Sequence, residues 1–231
     1  MIEVNINLIA LLSQADKMPF EYKNKLFVVT GGAQGIGLAL SEHILNKGGK
    51  VAISDVNQET GIKVQMRLEK QHGKNCVTFI KADVRDKAAF EALWDEAEKA
   101  FNPPLPVSVL VNNAGVGESA GRQLCIDVNF GGVVTGTYLA VDRMSKAKDG
   151  TNKLRNLGGK VVNVASLSGL ADAERLNISA YCFTKGGVVG LVQNLGTKEY
   201  FSKHGVTFNA LCPGFVDTAI FNTKKELYDE V

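Results

Sequence analysis

The stretch Thr30-Gly31-Gly32-Ala33-Gln34-Gly35-Ile36-Gly37 constrains this chain more than any other. It joins an apolar run, Leu26-Phe27-Val28-Val29, to a helical pattern, Leu38-Ala39-Leu40-Ser41-Glu42-His43-Ile44-Leu45. The order predicts a strand, a tight glycine turn and a helix. Glycines let a backbone turn sharply and approach a ligand that a Cβ would hold off. The helix start offers unpaired N–H groups and a positive dipole end, which suit a pyrophosphate. The spacing is Gly-x-x-x-Gly-x-Gly rather than Gly-x-Gly-x-x-Gly, and Leu38 stands where a Walker A loop requires Lys. A plain glycine turn satisfies the same local pattern, so a second residue has to decide.

That residue is Asp55. Lys50-Val51-Ala52-Ile53-Ser54 reads as a second strand that ends in this carboxylate, eighteen residues beyond Gly37. A carboxylate there can accept both hydroxyls of an adenosine ribose, and it repels a 2′-phosphate, so it favours NAD over NADP. Gln34, Val56 and Asn57 bring no cation to offset that repulsion. The competing reading of Asp55 is a solvated strand end.

Strand and helix patterns keep alternating. Cys76 to Lys81 reads as strand three, Val107 to Val111 as strand four, Lys160 to Ala165 as strand five and Val206 to Leu211 as strand six. Asp86 to Phe101 reads as an amphipathic helix with Phe90, Leu93, Trp94, Ala97 and Phe101 on one face. Longer helices are predicted near Arg122–Lys148 and Ser179–Lys203, with a polar loop over 146–157. Parallel neighbours need crossover helices, so the pattern implies one α/β domain with a doubly wound parallel sheet. Ligands on such sheets bind at the carboxyl ends of the strands.

Composition narrows the partners. The 231 residues suit one domain with a sizeable core, and a net charge of +2 with interspersed signs argues against nucleic acid or an anionic membrane. The apolar run Ile6 to Leu12 is too short to span a bilayer. Residues 1–17 read as an N-terminal extension, with Met18 a candidate alternative start of an 18–231 catalytic domain, or else as a docked amphipathic segment. Cys76, Cys125, Cys182 and Cys212 have no metal-ligand spacing, which leaves no metal site and suits a reducing, cytoplasmic setting. Three of them lie in apolar segments and read as core residues; Cys182 is either packing or a reactive thiol.

The strand ends carry a consistent set of side chains. Strand three ends in Asp83-Val84, strand four in Asn112-Asn113-Ala114-Gly115 and strand five in Ala165-Ser166-Leu167-Ser168-Gly169. Strand six ends in Cys212-Pro213-Gly214-Phe215-Val216-Asp217-Thr218. Between the last two, Tyr181 and Lys185 share one helix face at i, i+4. From about Lys25 to Phe221 this order of motifs resembles the short-chain dehydrogenase/reductase family. Within it, Thr135 to Ala140, Val162 to Leu170 and Pro213 to Ile220 are most similar to NAD-dependent 15-hydroxyprostaglandin dehydrogenases and insect-type alcohol dehydrogenases.

The resemblance implies an NAD-dependent oxidoreductase acting on a secondary alcohol, prostanoid- or steroid-like, with a Rossmann-type sheet. Tyr181 is the implied base, and an ordinary phenol titrates near 10, so bringing it to about 7 needs roughly 4 kcal/mol. Lys185 one turn away favours the phenolate. By resemblance Lys185 also binds the nicotinamide ribose, Ser166 orients the substrate oxygen, and Asn129 anchors a proton-relaying water. A polar group at a helix kink is the competing reading of Asn129, and Ser168 competes with Ser166 for the serine role. Cofactor contacts are implied for Gly31, Gly35, Ile36, Gly37, Asp55, Val56, Asp83, Val84, Asn113, Ala114, Gly115, Tyr181, Lys185, Pro213, Gly214, Val216 and Thr218. A helix N-cap is the competing reading of Asp83. His43, His72 and His204 have no partner at metal or triad spacing. The helices near 122–148 and 179–203 resemble those that pair in a homodimer, and Gly186, Gly187 and Gly190 are expected to approach the sheet or cofactor.

The Ser166-to-Tyr181 gap of fifteen residues is two longer than usual in the family, so the 170–178 loop is expected to shape a different pocket. Against the family pattern the chain ends at Val231 inside the substrate lid, which implies six strands without the usual seventh and an exposed apolar edge at strand six. A second reading therefore stands open, a shortened NAD-binding or interaction protein without turnover.

Overall fold

The computed structural model describes residues 20–145, 158–170 and 178–216. The 1–17 extension, the 146–157 loop, most of the 170–178 loop, Thr218 and the expected lid lie outside the described residues. Strands and helices alternate as β1 (Leu26–Thr30), α1 (Gly35–Asn46), β2 (Lys50–Asp55), α2 (Gln58–His72), β3 (Val77–Lys81), α3 (Lys87–Lys99) and β4 (Val107–Asn112). There follow α4 (Arg122–Met144), β5 (Gly159–Val164), α5 (Ser179–Leu195), α6 (Lys198–His204) and β6 (Val206–Leu211). The strands form one parallel sheet in the order β3-β2-β1-β4-β5-β6. The chain direction across the sheet reverses between β1 and β4, and a crevice opens above that pair.

β1 is buried along its whole length because its alternate residues feed two cores. Leu26 and Val28 belong to one core together with Phe90, Leu93 and Trp94 of α3 and Leu139 and Ala140 of α4. Phe27 and Val29 belong to the other, with Ile44 and Leu45 of α1 and Val64 and Leu68 of α2. On α3 the expected face, Phe90, Leu93, Trp94 and Ala97, is buried, each large side chain contributing about 1.5–3 kcal/mol of transfer free energy. A polar cluster ties α4 to the sheet: Asn112 Nδ2 donates to Asn163 Oδ1 at 2.9 Å, and Asn163 Nδ2 donates to Thr137 Oγ1 at 3.2 Å. These groups are buried, so unpaired they would be costly.

Several expectations need correction. The Ser179–Lys203 helix is two helices, because Gly196 ends α5 and Thr197 turns extended and caps α6 by accepting from Tyr200 N. Asp86 is the N-cap of α3 rather than its first residue, accepting from the Ala88 and Ala89 amides, so Asp83 is not the cap. A Cβ on Gly187 would press on the Phe130 ring of α4, and one on Gly186 would approach the Gly169 carbonyl. Those glycines serve helix–helix and helix–turn contact rather than contact with the sheet, and Gly190 faces open space. Of the three cysteines expected in the core, Cys125 is buried while Cys76 and Cys212 are half-buried.

α4 is interrupted by a π-type turn over Asp127–Gly132 that carries Asn129. By length and composition α4 could cross a membrane, but 56% of its apolar window is buried inside the fold, as in a core helix. Among the described residues β6 pairs only with β5.

Candidate active site

The carboxyl ends of parallel strands all open on one side, and there they enclose a cavity of about 400 Å³. One wall is the glycine turn, with Gly31, Gly35 and Ile36, beside the β2 end at Asp55 and Val56. Asp83 and Val84 follow from β3, and Asn113, Ala114 and Gly115 from β4. The far wall is Ser166, Tyr181, Lys185, Pro213, Gly214 and Val216. Gly37 and Asn129 do not line the cavity; both are buried behind its wall.

The glycine wall is shaped by close backbone approach. Gly31 has φ +61°, and a Cβ there would stand 2.8 Å from the Ala114 Cα. A Cβ on Gly37 would overlap the Gly31 carbonyl oxygen and lie 2.5 Å from Asn113 Nδ2. Asn113 clamps the turn from β4, its Nδ2 donating to the Thr30 and Gly31 carbonyls at 2.9 and 3.0 Å. Thr30 Oγ1 in return accepts from the Asn113 and Ala114 amides at 3.1 Å. Gly37→Ala is expected to lower stability by about 1–3 kcal/mol and to weaken dinucleotide binding, because the added methyl has nowhere to go. Thermal unfolding and an NAD titration check this; unchanged values in both would refute the packing role.

Two features suit a dinucleotide phosphate and ribose. Among the described residues Gln34 gives α1 no side-chain cap, whereas Asn57, Asp86 and Thr197 cap the helices they precede. The first amides of α1 therefore meet the cavity without a side-chain acceptor. Asp55 is held in place by the Ala33 amide on Oδ2 at 3.3 Å and the Asn57 amide on Oδ1 at 3.1 Å. Beside it Ser54 lines the same wall, and its buried Oγ has no partner among the described residues. These residues fit an adenosine diphosphate half.

At the end of β3 the structure places Asp83 in the cavity wall, as expected, and adds a partner for it. Arg85 turns back on Asp83, donating Nε at 3.0 Å and Nη2 at 2.5 Å to its Oδ2. The guanidinium holds Asp83 below the usual carboxylate range. Asp83 thus reaches the cavity already engaged, and Arg85 also lines it.

The far wall gathers the residues that the family resemblance marks as reactive. Lys185 is 4% exposed, and its Nζ donates to the Val164 carbonyl at 2.8 Å and stands 5.6 Å from the centre of the Tyr181 ring. Burial lowers its pKa from 10.5 to about 8, against smaller opposing effects of Cys125 and Cys212. Tyr181 is buried to 8% exposure and Ser166 to 9%, both at the cavity surface. Ser166 Oγ accepts from the Ser168 amide at 3.2 Å, and Ser168 itself does not line the cavity. Asn129 is fully buried, and its amide pairs with Val116, accepting from the backbone N–H at 2.8 Å and donating to the carbonyl at 2.9 Å. It also donates to Cys125 Sγ at 3.2 Å. Gly115 lies between Asn129 and Lys185: a Cβ there would be 3.3 Å from Asn129 Oδ1 and 3.6 Å from Lys185 Nζ.

Burial and the Glu118 carboxylate push the Cys182 thiol up, away from a reactive thiolate. Among the described residues no group of three or more His, Cys, Asp or Glu is placed to hold a metal. Reading by motif missed Gln34, Arg85, Val116, Leu124 and Val128, which also line the cavity. Arg85 could have been found from its place directly after Asp83-Val84. Leu124 and Val128 carry only a helical spacing that any core helix shares.

The short chain dehydrogenase family matches residues 25–229. The 15-hydroxyprostaglandin dehydrogenase (NAD+) of Bos taurus is 38% identical over 199 residues, which cover 86% of this chain and 71% of that protein. The Homo sapiens protein of the same name is 37% identical over the same shares. An NADP-dependent (R)-specific alcohol dehydrogenase of Lentilactobacillus kefiri is 30% identical over 207 residues, covering 86% of this chain and 75% of its own. A solved short chain dehydrogenase/reductase from Burkholderia phymatum in complex with NAD superposes with a TM-score of 0.75 at 29% identity, over 92% of this chain and 74% of that one.

Proposed function

This chain belongs to the short chain dehydrogenase family, and we propose that it is an NAD-dependent oxidoreductase that oxidises secondary alcohols of lipid-like, prostanoid- or steroid-like character. The observation that carries the reading is the meeting of Ser166, Tyr181 and Lys185 in one cavity with the glycine turn and Asp55. The glycine turn and the α1 amides would hold the pyrophosphate, Asp55 the adenosine ribose, and Lys185 the nicotinamide ribose. NAD, when bound, supplies the hydride acceptor.

The side chains do the proton chemistry. Ser166 Oγ holds the substrate hydroxyl toward Tyr181, and the Tyr181 phenolate takes its proton. The Lys185 ammonium nearby favours the phenolate over the phenol. Val116, Leu124 and Val128 give the cavity an apolar side, which suits a lipid-like alcohol. The names of the bovine and human relatives favour the same substrate class.

The test is NADH formation by the full chain with a panel of secondary alcohols, with NAD and NADP compared in wild type and Asp55→Ala. Wild type is expected to reduce NAD, and Asp55→Ala to lose about 10- to 100-fold of its preference for NAD over NADP. Tight NAD binding with no NADH from any alcohol would replace the enzyme with a binding protein. An unchanged preference in Asp55→Ala would remove Asp55 from the ribose site.

A further inference from the structure

α5 carries Tyr181 in its first turn, and the residue at its N-cap position cannot serve that turn. Ile178 stands there, with an apolar side chain and no capping hydrogen bond. A helix start leaves its first amides without intrahelical partners, and an uncapped first turn frays. The acceptor comes instead from the turn after β4. Glu118 lies 62 residues before Ala180, and its Oε2 accepts the backbone N–H groups of Ala180 at 2.9 Å and Tyr181 at 3.2 Å. Its other oxygen, Oε1, accepts from Arg122 Nε at 3.1 Å. The side chain is 9% exposed and both oxygens are engaged, one by the α5 amides and the other by Arg122 at the surface.

We propose that Glu118 is a positioning residue for Tyr181, a cap supplied across the fold that fixes where the phenol stands over the cavity. The inference rests on the reading of Tyr181 as the base. Lys185 is anchored separately, through Nζ on the Val164 carbonyl, one turn further along α5. If the first turn loosens, the tyrosine moves and the lysine does not. The Tyr181-to-Lys185 and Tyr181-to-Ser166 separations then drift together. Glu118 also faces Arg122 of α4 and the Cys125 and Cys182 thiols. Burial pushes its carboxyl up, but the Tyr181 and Ala180 amides and Arg122 outweigh that and hold it below the usual range. It therefore stays an anion at neutral pH and keeps both amides. The turn that bears it begins two residues after Val116, which pairs with Asn129. The cap thus joins the cofactor side of the cavity to the helix that carries the base.

The experiment compares kcat, KM, NAD affinity and the pH dependence of kcat/KM for wild type, Glu118→Ala, Glu118→Gln and Tyr181→Phe. Glu118→Ala is expected to lose about 10- to 100-fold in kcat, with NAD affinity within about twofold of wild type. The acidic limb of its profile, where the Tyr181 phenolate takes up a proton, should move upward, because losing the Lys185 ammonium outweighs losing the Glu118 charge. Glu118→Gln keeps an oxygen for the two amides and should recover most of the rate. Its pH limb should move the other way, since a negative charge has gone. A wild-type rate and pH profile in Glu118→Ala, beside an inactive Tyr181→Phe, would overturn the positioning role alone. So would equal losses in Gln and Ala that track a fall in melting temperature and in NAD affinity, which mark a merely structural contact. Equal rates in wild type and Tyr181→Phe would sink the base itself, and the positioning role with it.

Discussion

Lys185→Met should make the protein more stable and less active. At neutral pH the buried ammonium costs folding free energy, because burial lowers its pKa from 10.5 to about 8. A difference of that size is worth about 3 kcal/mol, lost to the folded state wherever the lysine is charged. The sign follows from proton counts. Between pH 8 and 10.5 the unfolded chain binds the proton and the folded chain releases it, so stability rises with pH across that window. Below pH 8 both states are protonated and the penalty is complete. Methionine fills much the same space without the charge, but it leaves the Val164 carbonyl without its donor, at about 1–3 kcal/mol. The expected balance at pH 7 is a gain of about 1 kcal/mol. Toward pH 10.5 the gain should disappear and become a loss, since the wild-type lysine is then neutral and still hydrogen-bonded. Turnover should fall at least about 100-fold at every pH. Urea unfolding at pH 7 and pH 9.5, together with NADH formation, measures all three effects. A variant uniformly less stable at both pH values would mean that the lysine has a compensating partner when charged.

Tyr181→Phe should remove the reaction and leave the binding. The ring is buried, and phenylalanine keeps its packing, so the melting temperature should move little. NAD affinity should stay within about twofold, because the glycine turn and Asp55 lie on the opposite wall. The rate of alcohol oxidation should fall about 10²- to 10⁴-fold, the usual contribution of a positioned proton acceptor. Ser166→Ala measured alongside should retain more activity than Tyr181→Phe, because an orienting hydroxyl can be partly replaced by water. A Tyr181→Phe rate within a factor of about three of wild type would remove the tyrosine from the chemistry.

Much of this architecture was legible because it rests on local backbone demands. A sharp turn with φ +61° at Gly31, and the contact at Gly37 that admits no Cβ, restrict those positions to glycine, and the sequence displays them openly. The unbroken apolar run of β1, buried at every residue, and the i, i+3, i+4, i+7 face of α3 are equally direct. The break between α5 and α6 had its signal too: Gly196 followed by Thr197 is a stop and a cap, but the apolar pattern on either side masked it. Asp83 carried a competing reading as a cap while Asp86 was placed inside the helix, and only the actual helix start makes Asp86 the cap and leaves Asp83 to Arg85.

The sequence by itself determined the parallel α/β sheet, the glycine turn, the carboxylate at the end of β2 and the set of polar residues at the strand ends. Each follows from neighbours a few residues away, where sterics and side-chain period leave a visible pattern. Tertiary structure alone decided how those residues are held. The Glu118 cap on α5 spans 62 residues and has no period to betray it. The lowered pKa of Lys185 comes from what surrounds it, since desolvation depends on the packing of elements far apart in the chain. The same packing puts Gly115 between Asn129 and Lys185, a relation set by the crossing of β4, α4 and α5 that no spacing in the sequence encodes.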